Sequence, residues 1–294
     1  MLQQVLLYIL IFISGLFFGS FLNLVSDRIL KKEKILFGRS KCENCKKPLK
    51  PTHLIPLLSF ILQRGKCAMC SKKLSWYYPF SEVLTGLAFA GAVYYTDILK
   101  SVSVPSIISL VFLLVVFSAY IIIVLTDLKF RIIPDKVVWP TIIFVFLFMV
   151  INAIYYLVSY YVKLKNDIFG VYLLESGYLH VQGLYILKSL GMVVLSACLI
   201  AGFFAFLVKI TKGKGMGGGD VKLGLLIGLF NGFPNNVIAI FLGFIIGAVT
   251  SLVLILFKLK TMKDTVPFGP FLILGSLVAL LWGEQLWQFY ITLF

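Results

Sequence analysis

The sequence predicts an all-α polytopic membrane protein of about eight transmembrane helices, with a small cytosolic zinc-ribbon-like domain between the first and the second. Three observations carry this. Of 294 residues, 60% are hydrophobic and 13% charged, which is more apolar surface than a soluble core of this size needs. Uncharged stretches of about membrane-spanning length recur along the whole chain. The one polar stretch of any size holds four of the five cysteines, as two C-x2-C pairs.

Taken in order, the first span runs from Val5 to Leu22. It reads as a retained helix, since Met-Leu-Gln-Gln offers no basic region before it and no small-x-small site follows. Further uncharged spans are Ser101 to Thr126, Val137 to Val162, Ser189 to Val208, Val237 to Phe257 and Thr265 to Gly283. Two weaker segments complete the set: Leu74 to Thr96, interrupted by Glu82, and the short Val221 to Phe233. With the N-terminus outside and eight crossings, 23 of the 27 Lys and Arg fall on one side, Lys214 and Lys263 among them. The positive-inside tendency makes that side the cytosol and leaves both termini outside. The net charge of +15 therefore follows from topology. Anionic lipid of the bilayer is its natural partner, while nucleic acid is excluded because aromatic interleaving and groove-reading motifs are missing.

The polar stretch follows Gly19-Ser20-Phe21-Leu22-Asn23 and Arg28. In it Cys42 and Cys45 are separated by 21 residues from Cys67 and Cys70. Paired knuckles of this kind offer four thiolates to one tetrahedral zinc, and four sulfurs leave no open position, so the metal reads as structural. His53, between the knuckles, reads as solvent-facing. Cys198, alone in an apolar helix, reads as packing. The outer connection from Lys163 to Lys188, which contains His180, carries no functional signal.

Trp76, Tyr77 and Tyr78 read as interfacial anchors at the mouth of the second span. Glu82 stands within or just before that span, either snorkelling to the surface or functional. The third span ends in Thr126-Asp127, which puts Asp127 at its cytosolic end. The run Gly213-Lys214-Gly215-Met216-Gly217-Gly218-Gly219 reads as a loop, because glycine is costly to order in a helix, and it delivers Asp220 to the start of an apolar helix. That helix rises only about 20 Å against a core of about 30 Å, so Asp220 is expected below the cytosolic surface beside a wet cavity.

Two carboxylates sharing a water are the minimum equipment of an aspartyl hydrolase: the ionised one takes a proton from water and the protonated one polarises the carbonyl. Asp220, at a helix N-terminus, is favoured as the anion, and Asp127, at a C-terminus, as the acid. Gly217, Gly218 and Gly219 form a supporting loop that an extended substrate strand can approach closely. Bland readings stand beside these. Asp220 can be a helix cap, and Asp127 and Asp135 a pair of loop acids beside Lys129, Arg131 and Lys136. An ion-coupled membrane transporter, with Asp127 and Asp220 as ion ligands, is the competing class.

The chain resembles the bacterial prepilin peptidases, the type 4 prepilin leader peptidases and N-methyltransferases, within the GxGD intramembrane aspartyl proteases. The matching pieces span nearly the whole chain: GSFLN with Arg28, the C-x2-C pairs flanking IPLLSFILQRGKC, YYPFSEVLT, TDLKFRIIPD, GKGMGGGDVKL and VPFGPFLILG. The resemblance implies Asp127 and Asp220 as the catalytic pair and Cys42, Cys45, Cys67 and Cys70 as metal ligands. It also implies removal of a short basic leader after a glycine from prepilins or pseudopilins on the cytosolic side of the bacterial inner membrane. S-adenosylmethionine would then methylate the new N-terminal residue. Asp27 and His53 depart from the usual family residues. No glycine-rich methyltransferase signature is present, so the residues that bind the methyl donor are unknown, with Glu82 the one candidate. The expected division is 1–24 as first helix, 25–79 as cytosolic zinc domain and 80–294 as membrane-embedded peptidase domain.

Overall fold

The computed structural model describes residues 2–34, 40–42, 44–213, 215–261 and 264–293. Lys214 and Lys263, counted above for orientation, lie outside the described residues. The described chain is nearly all helix and falls into two units, residues 1–137 and 138–294.

The first unit holds α1 (Leu2–Lys31), a 3-10 turn (Pro51–Leu54), α2 (Leu58–Leu62), α3 (Tyr77–Tyr95) and α4 (Val104–Phe130). α1 and α3 pack through glycine. A Cβ added at Gly15 would lie 2.7 Å from Gly86 Cα, and one at Gly19 would lie 2.8 Å from Glu82 Cα. Where lipid tails are as apolar as the side chains, such close backbone approach is what binds helices together. α4 closes on this pair with a fully apolar core of Val116, Ile123 and Leu125, and Tyr77 Oη donates to Leu125 O at 2.9 Å.

Between α1 and α3 the two cysteine pairs form knuckles of the same local build. The Cys42 N–H bonds Lys47 O at 3.0 Å and the Cys67 N–H bonds Lys72 O at 2.9 Å. One residue after the second cysteine of each pair, Lys46 and Ser71 both turn through φ 57°. Isolated antiparallel bridges, Lys41 with Pro48 and Lys66 with Lys73, close the knuckles, and no strand occurs among the described residues.

The second unit takes most of α5 (Asp135–Lys165), then α6 (Ile168–Glu175), α7 (Tyr178–Ile210), α8 (Gly218–Asn231), α9 (Asn235–Leu256) and α10 (Gly269–Leu293). The connection from Lys163 to Lys188 is therefore largely helical. α5 runs on to Lys165, and Gly177, at φ 79°, is the break that separates α6 from α7. The short α8 is gripped by its neighbours. A Cβ at Gly228 would lie 2.7 Å from Ala197 Cα of α7. Asn231 Nδ2 donates to Ser276 Oγ of α10 at 2.6 Å, and Asn236 Nδ2 of α9 donates to Ser196 Oγ of α7 at 2.7 Å.

Among the described residues, six helices are long and apolar enough to cross a membrane, which defines a multi-pass membrane protein. The other two of the expected eight are α3, with 19 residues and a buried glutamate, and α8, whose 14 residues rise only about 21 Å.

Candidate active site and metal centre

Asp220 is buried, with 8% of its surface accessible. The loop expected through Gly219 ends earlier: α8 begins at Gly218, with Gly217 as its extended N-cap and Asp220 in its first turn. Asp220 Oδ2 accepts the Gly217 N–H at 3.0 Å, and the Asp220 N–H bonds Gly217 O at 3.1 Å. This reach-back satisfies a donor that the helix start leaves without an intrahelical partner, so glycines are tolerated in that turn. The capping contact of the bland reading is thus present, and it also fixes the carboxylate where the helix dipole favours an anion.

The three glycines of the supporting loop are not demanded by backbone conformation, since none has a positive φ. Neither does crowding demand two of them. A Cβ at Gly218 would meet nothing within 4 Å, and one at Gly217 would be no nearer than 3.7 Å to any atom.

Asp127 sits in the last turn of α4, 6% accessible, and its carbonyl accepts the N–H of Arg131, the left-handed residue that ends the helix. Asp135 is exposed at the start of α5. The two acids therefore differ in kind, and Asp127 is not a loop acid. Lys129 of the same turn bonds Asp27 of α1 at 2.9 and 3.0 Å and lies 5.8 Å from the centroid of Tyr77. Asp27 and the aromatic pair at the head of α3 thereby brace the end of the helix that carries Asp127.

Glu82 does not snorkel. It is buried at 7%, and its Oε2 accepts the N–H of Leu57 at 2.9 Å. Leu57 holds a φ of 58°, a conformation costly for a side chain with a Cβ, so the carboxylate pins a strained turn of the knuckle domain against α3.

The four knuckle sulfurs, Cys42, Cys45, Cys67 and Cys70, all lie within 4.8 Å of one another, and Cys42 Sγ is 4.0 Å from Cys70 Sγ. Four thiolates about 2.3 Å from a tetrahedral ion stand about 3.8 Å apart, so the set fits one metal with slight contraction. The Lys72 N–H, and then the Asn44 amide, pull the Cys70 thiol down to about 6, which prepares a thiolate ligand. His53 is outside this cluster and half-buried, with its Nδ1 covered and without a hydrogen-bond partner, so it faces solvent only in part. Cys198 is exposed on α7, where packing among its neighbours had been expected.

Fold and site together define a helical multi-pass membrane protein with a four-thiol knuckle domain and buried carboxylates at helix ends. Residues 13–96 match the family described as Bacterial Peptidase A24 N-terminal domain, and residues 113–252 match the Type IV leader peptidase family. The chain is similar to the prepilin leader peptidase/N-methyltransferase of Bacillus subtilis (strain 168), at 31% identity over 97% of this chain and 98% of that one. It is also similar to those of Aeromonas hydrophila, at 29% over 98% and 95%, and Stutzerimonas stutzeri, at 26% over 94% and 91%. No solved structure matches. The chain belongs to the type IV leader peptidase family.

Proposed function

We propose that this protein is a membrane aspartyl endopeptidase that removes the short basic leader of type IV prepilins and pseudopilins after a glycine, and N-methylates the residue so exposed. Membership of the family along nearly the whole chain supports the reaction. The observation that carries the site is the burial of two carboxylates, Asp127 and Asp220, at opposite kinds of helix end. No finding favours the ion-coupled transporter.

The chemistry follows from those positions. Asp220, at the N-terminus of α8, holds the negative charge, and Asp127, at the C-terminus of α4, holds the shared proton. Asp220 takes a proton from water as the oxygen adds to the scissile carbonyl carbon, while Asp127 donates a hydrogen bond to the carbonyl oxygen. Collapse of the adduct breaks the C–N bond, and the leaving amine takes up the proton that Asp220 drew from water, which restores the carboxylate while Asp127 keeps its own proton. The open space over Gly218 accommodates an extended substrate backbone. Glycine before the cut favours the required opening of a helical substrate.

The knuckle domain, which we place on the cytosolic side with both termini outside, holds one structural zinc through Cys42, Cys45, Cys67 and Cys70. S-adenosylmethionine supplies the methyl group. Incubating the purified protein with a pilin-like peptide, glycine before its apolar helix, tests the reading: the peptide is shortened after that glycine and, with the methyl donor present, gains one methyl group. An intact peptide refutes it.

A further inference from the structure

The knuckle domain turns an apolar face away from the described residues of the first unit. In α2, Leu58, Ile61 and Leu62 stand at i, i+3 and i+4, so they share one side of the helix. All three are exposed, Ile61 at 67% and Leu62 at 81%. A small domain standing free in water gains nothing from three large aliphatic side chains gathered on its surface, and a patch of this kind marks a contact.

The opposite side of α2 fixes the level at which that face lies. Phe60 packs on Trp76 with ring centroids 5.0 Å apart, and Trp76 immediately precedes α3. Gly65, at φ 65°, closes the next turn so tightly over Phe60 that a Cβ there would stand 3.2 Å from the ring. The start of α2 sits deeper. Its Leu57 N–H is held by Glu82, which lies five residues, a rise of about 8 Å, past Tyr77 along α3. The glutamate side chain leans back toward the start of its helix, so Leu57 is level with the first turns of α3 rather than beyond its end. α1 gives the same depth: Gly19, which abuts Glu82, falls inside the uncharged run from Val5 to Leu22.

At that level the surroundings of the protein are lipid headgroups. Trp76, Phe80 and Leu87, at i, i+4 and i+11, form an exposed apolar stripe along α3, and Phe60 joins α2 to its upper end. Charge points the same way. From Asn44 to Ser81 the chain carries seven Lys or Arg and no Asp or Glu, with Arg64 and Lys66 directly after α2. Such a surface attracts anionic lipid, and it repels both a second copy of itself and a basic leader.

We propose that α2 is an interfacial anchor of the knuckle domain: Leu58, Ile61 and Leu62 enter the boundary between headgroups and acyl chains of the leaflet on that side, and Arg64 and Lys66 engage anionic phosphates there. The anchor goes beyond the peptidase reading and stands without it. It also accounts for Leu57. A left-handed conformation at φ 58°, held by a buried carboxylate, is what keeps the start of α2 down against α3.

A photo-crosslinker reads the occupant directly, on full-length protein in mixed vesicles of phosphatidylethanolamine and phosphatidylglycerol. Benzoylphenylalanine replaces Leu62 in one preparation and Ile61 in another, and intact-mass spectrometry follows illumination of protein that elutes like the wild type. Both positions are expected to give phospholipid adducts, as the lipid-facing position of Leu87 does, whereas the position of Lys47 gives none. A crosslink to a peptide of a second copy, or no adduct at either Leu62 or Ile61, overturns the anchor. Phosphatidylglycerol is expected to exceed its share of the vesicle about threefold among the adducts, and Arg64→Gln with Lys66→Gln to bring it back to that share. Adducts in the vesicle's own ratio with both cations intact, or an enrichment that survives the double substitution, overturn the phosphate contacts.

Discussion

Lys129 Nζ lies 2.9 Å from Asp27 Oδ1 and ties the last turn of α4 to α1, two residues beyond Asp127. The side chains of the pair are only 26% and 17% accessible, so solvent screens the pair less than it would on an open surface. Asp27→Asn is expected to leave the protein folded and to lower kcat for cleavage by up to about fivefold, with little change in KM, because a pair of this kind contributes about 0.2–1 kcal/mol. Lys129→Met is expected to do the same, and the double variant no worse than either single one. Additive losses in a double-mutant cycle would show that the two residues act independently.

Gly218 offers a sharper separation of fold from function. A Cβ there meets no atom within 4 Å, and alanine is the better helix former by about 1 kcal/mol. Gly218→Ala is expected to melt at or slightly above the wild-type temperature and to cleave at least about tenfold more slowly, since the open space is the substrate's. Undiminished cleavage would mean that the substrate passes elsewhere.

The knuckle domain is expected to carry one zinc per chain. Replacing Cys42 and Cys67 together removes two of four ligands and unfolds the domain, measured as loss of bound zinc and rapid proteolysis between residues 40 and 75. Stripping the metal with a chelator should abolish methylation before cleavage. Hydrolysis that tracked zinc occupancy in direct proportion, in folded protein with both aspartates intact, would contradict a structural metal.

The distribution of basic residues predicts a cytosolic knuckle domain. A cysteine introduced at Lys47 is expected to resist an impermeant thiol reagent in intact cells and to react after permeabilisation. Labelling in intact cells would invert the topology.

The helices were legible because apolar runs of about twenty residues admit few alternatives, and the knuckles because four thiols at that spacing do. Less visible were effects that depend on which helix meets which. The G-x-x-x-G of Gly15 and Gly19 went unread in the sequence, and its partners Gly86 and Glu82 are set by the fold. α8 starts two residues earlier than glycine propensity predicts, because propensity does not register the bond from the Gly217 N–H to the Asp220 carboxylate. Asn23 closes the GSFLN piece and His53 stands between the knuckles, yet nothing in the sequence tells that Asn23 Oδ1 and His53 Nδ1 are buried without partners. Their orphaned atoms emerge only when the knuckle domain folds against α1 and α3.

In the proposed mechanism Asp127 and Asp220 together hydrolyse the leader bond. The most direct measurement is the single-turnover cleavage rate of a prepilin in detergent by Asp127→Asn and Asp220→Asn, with Asp135→Asn as the matched control. An amide can neither share the proton nor deprotonate water, so each of the first two is expected to lose at least about a thousandfold in rate while eluting and melting like the wild type. Asp135, exposed at the start of α5, is expected to tolerate the same change. Cleavage near the wild-type rate in either Asp127→Asn or Asp220→Asn would contradict the account.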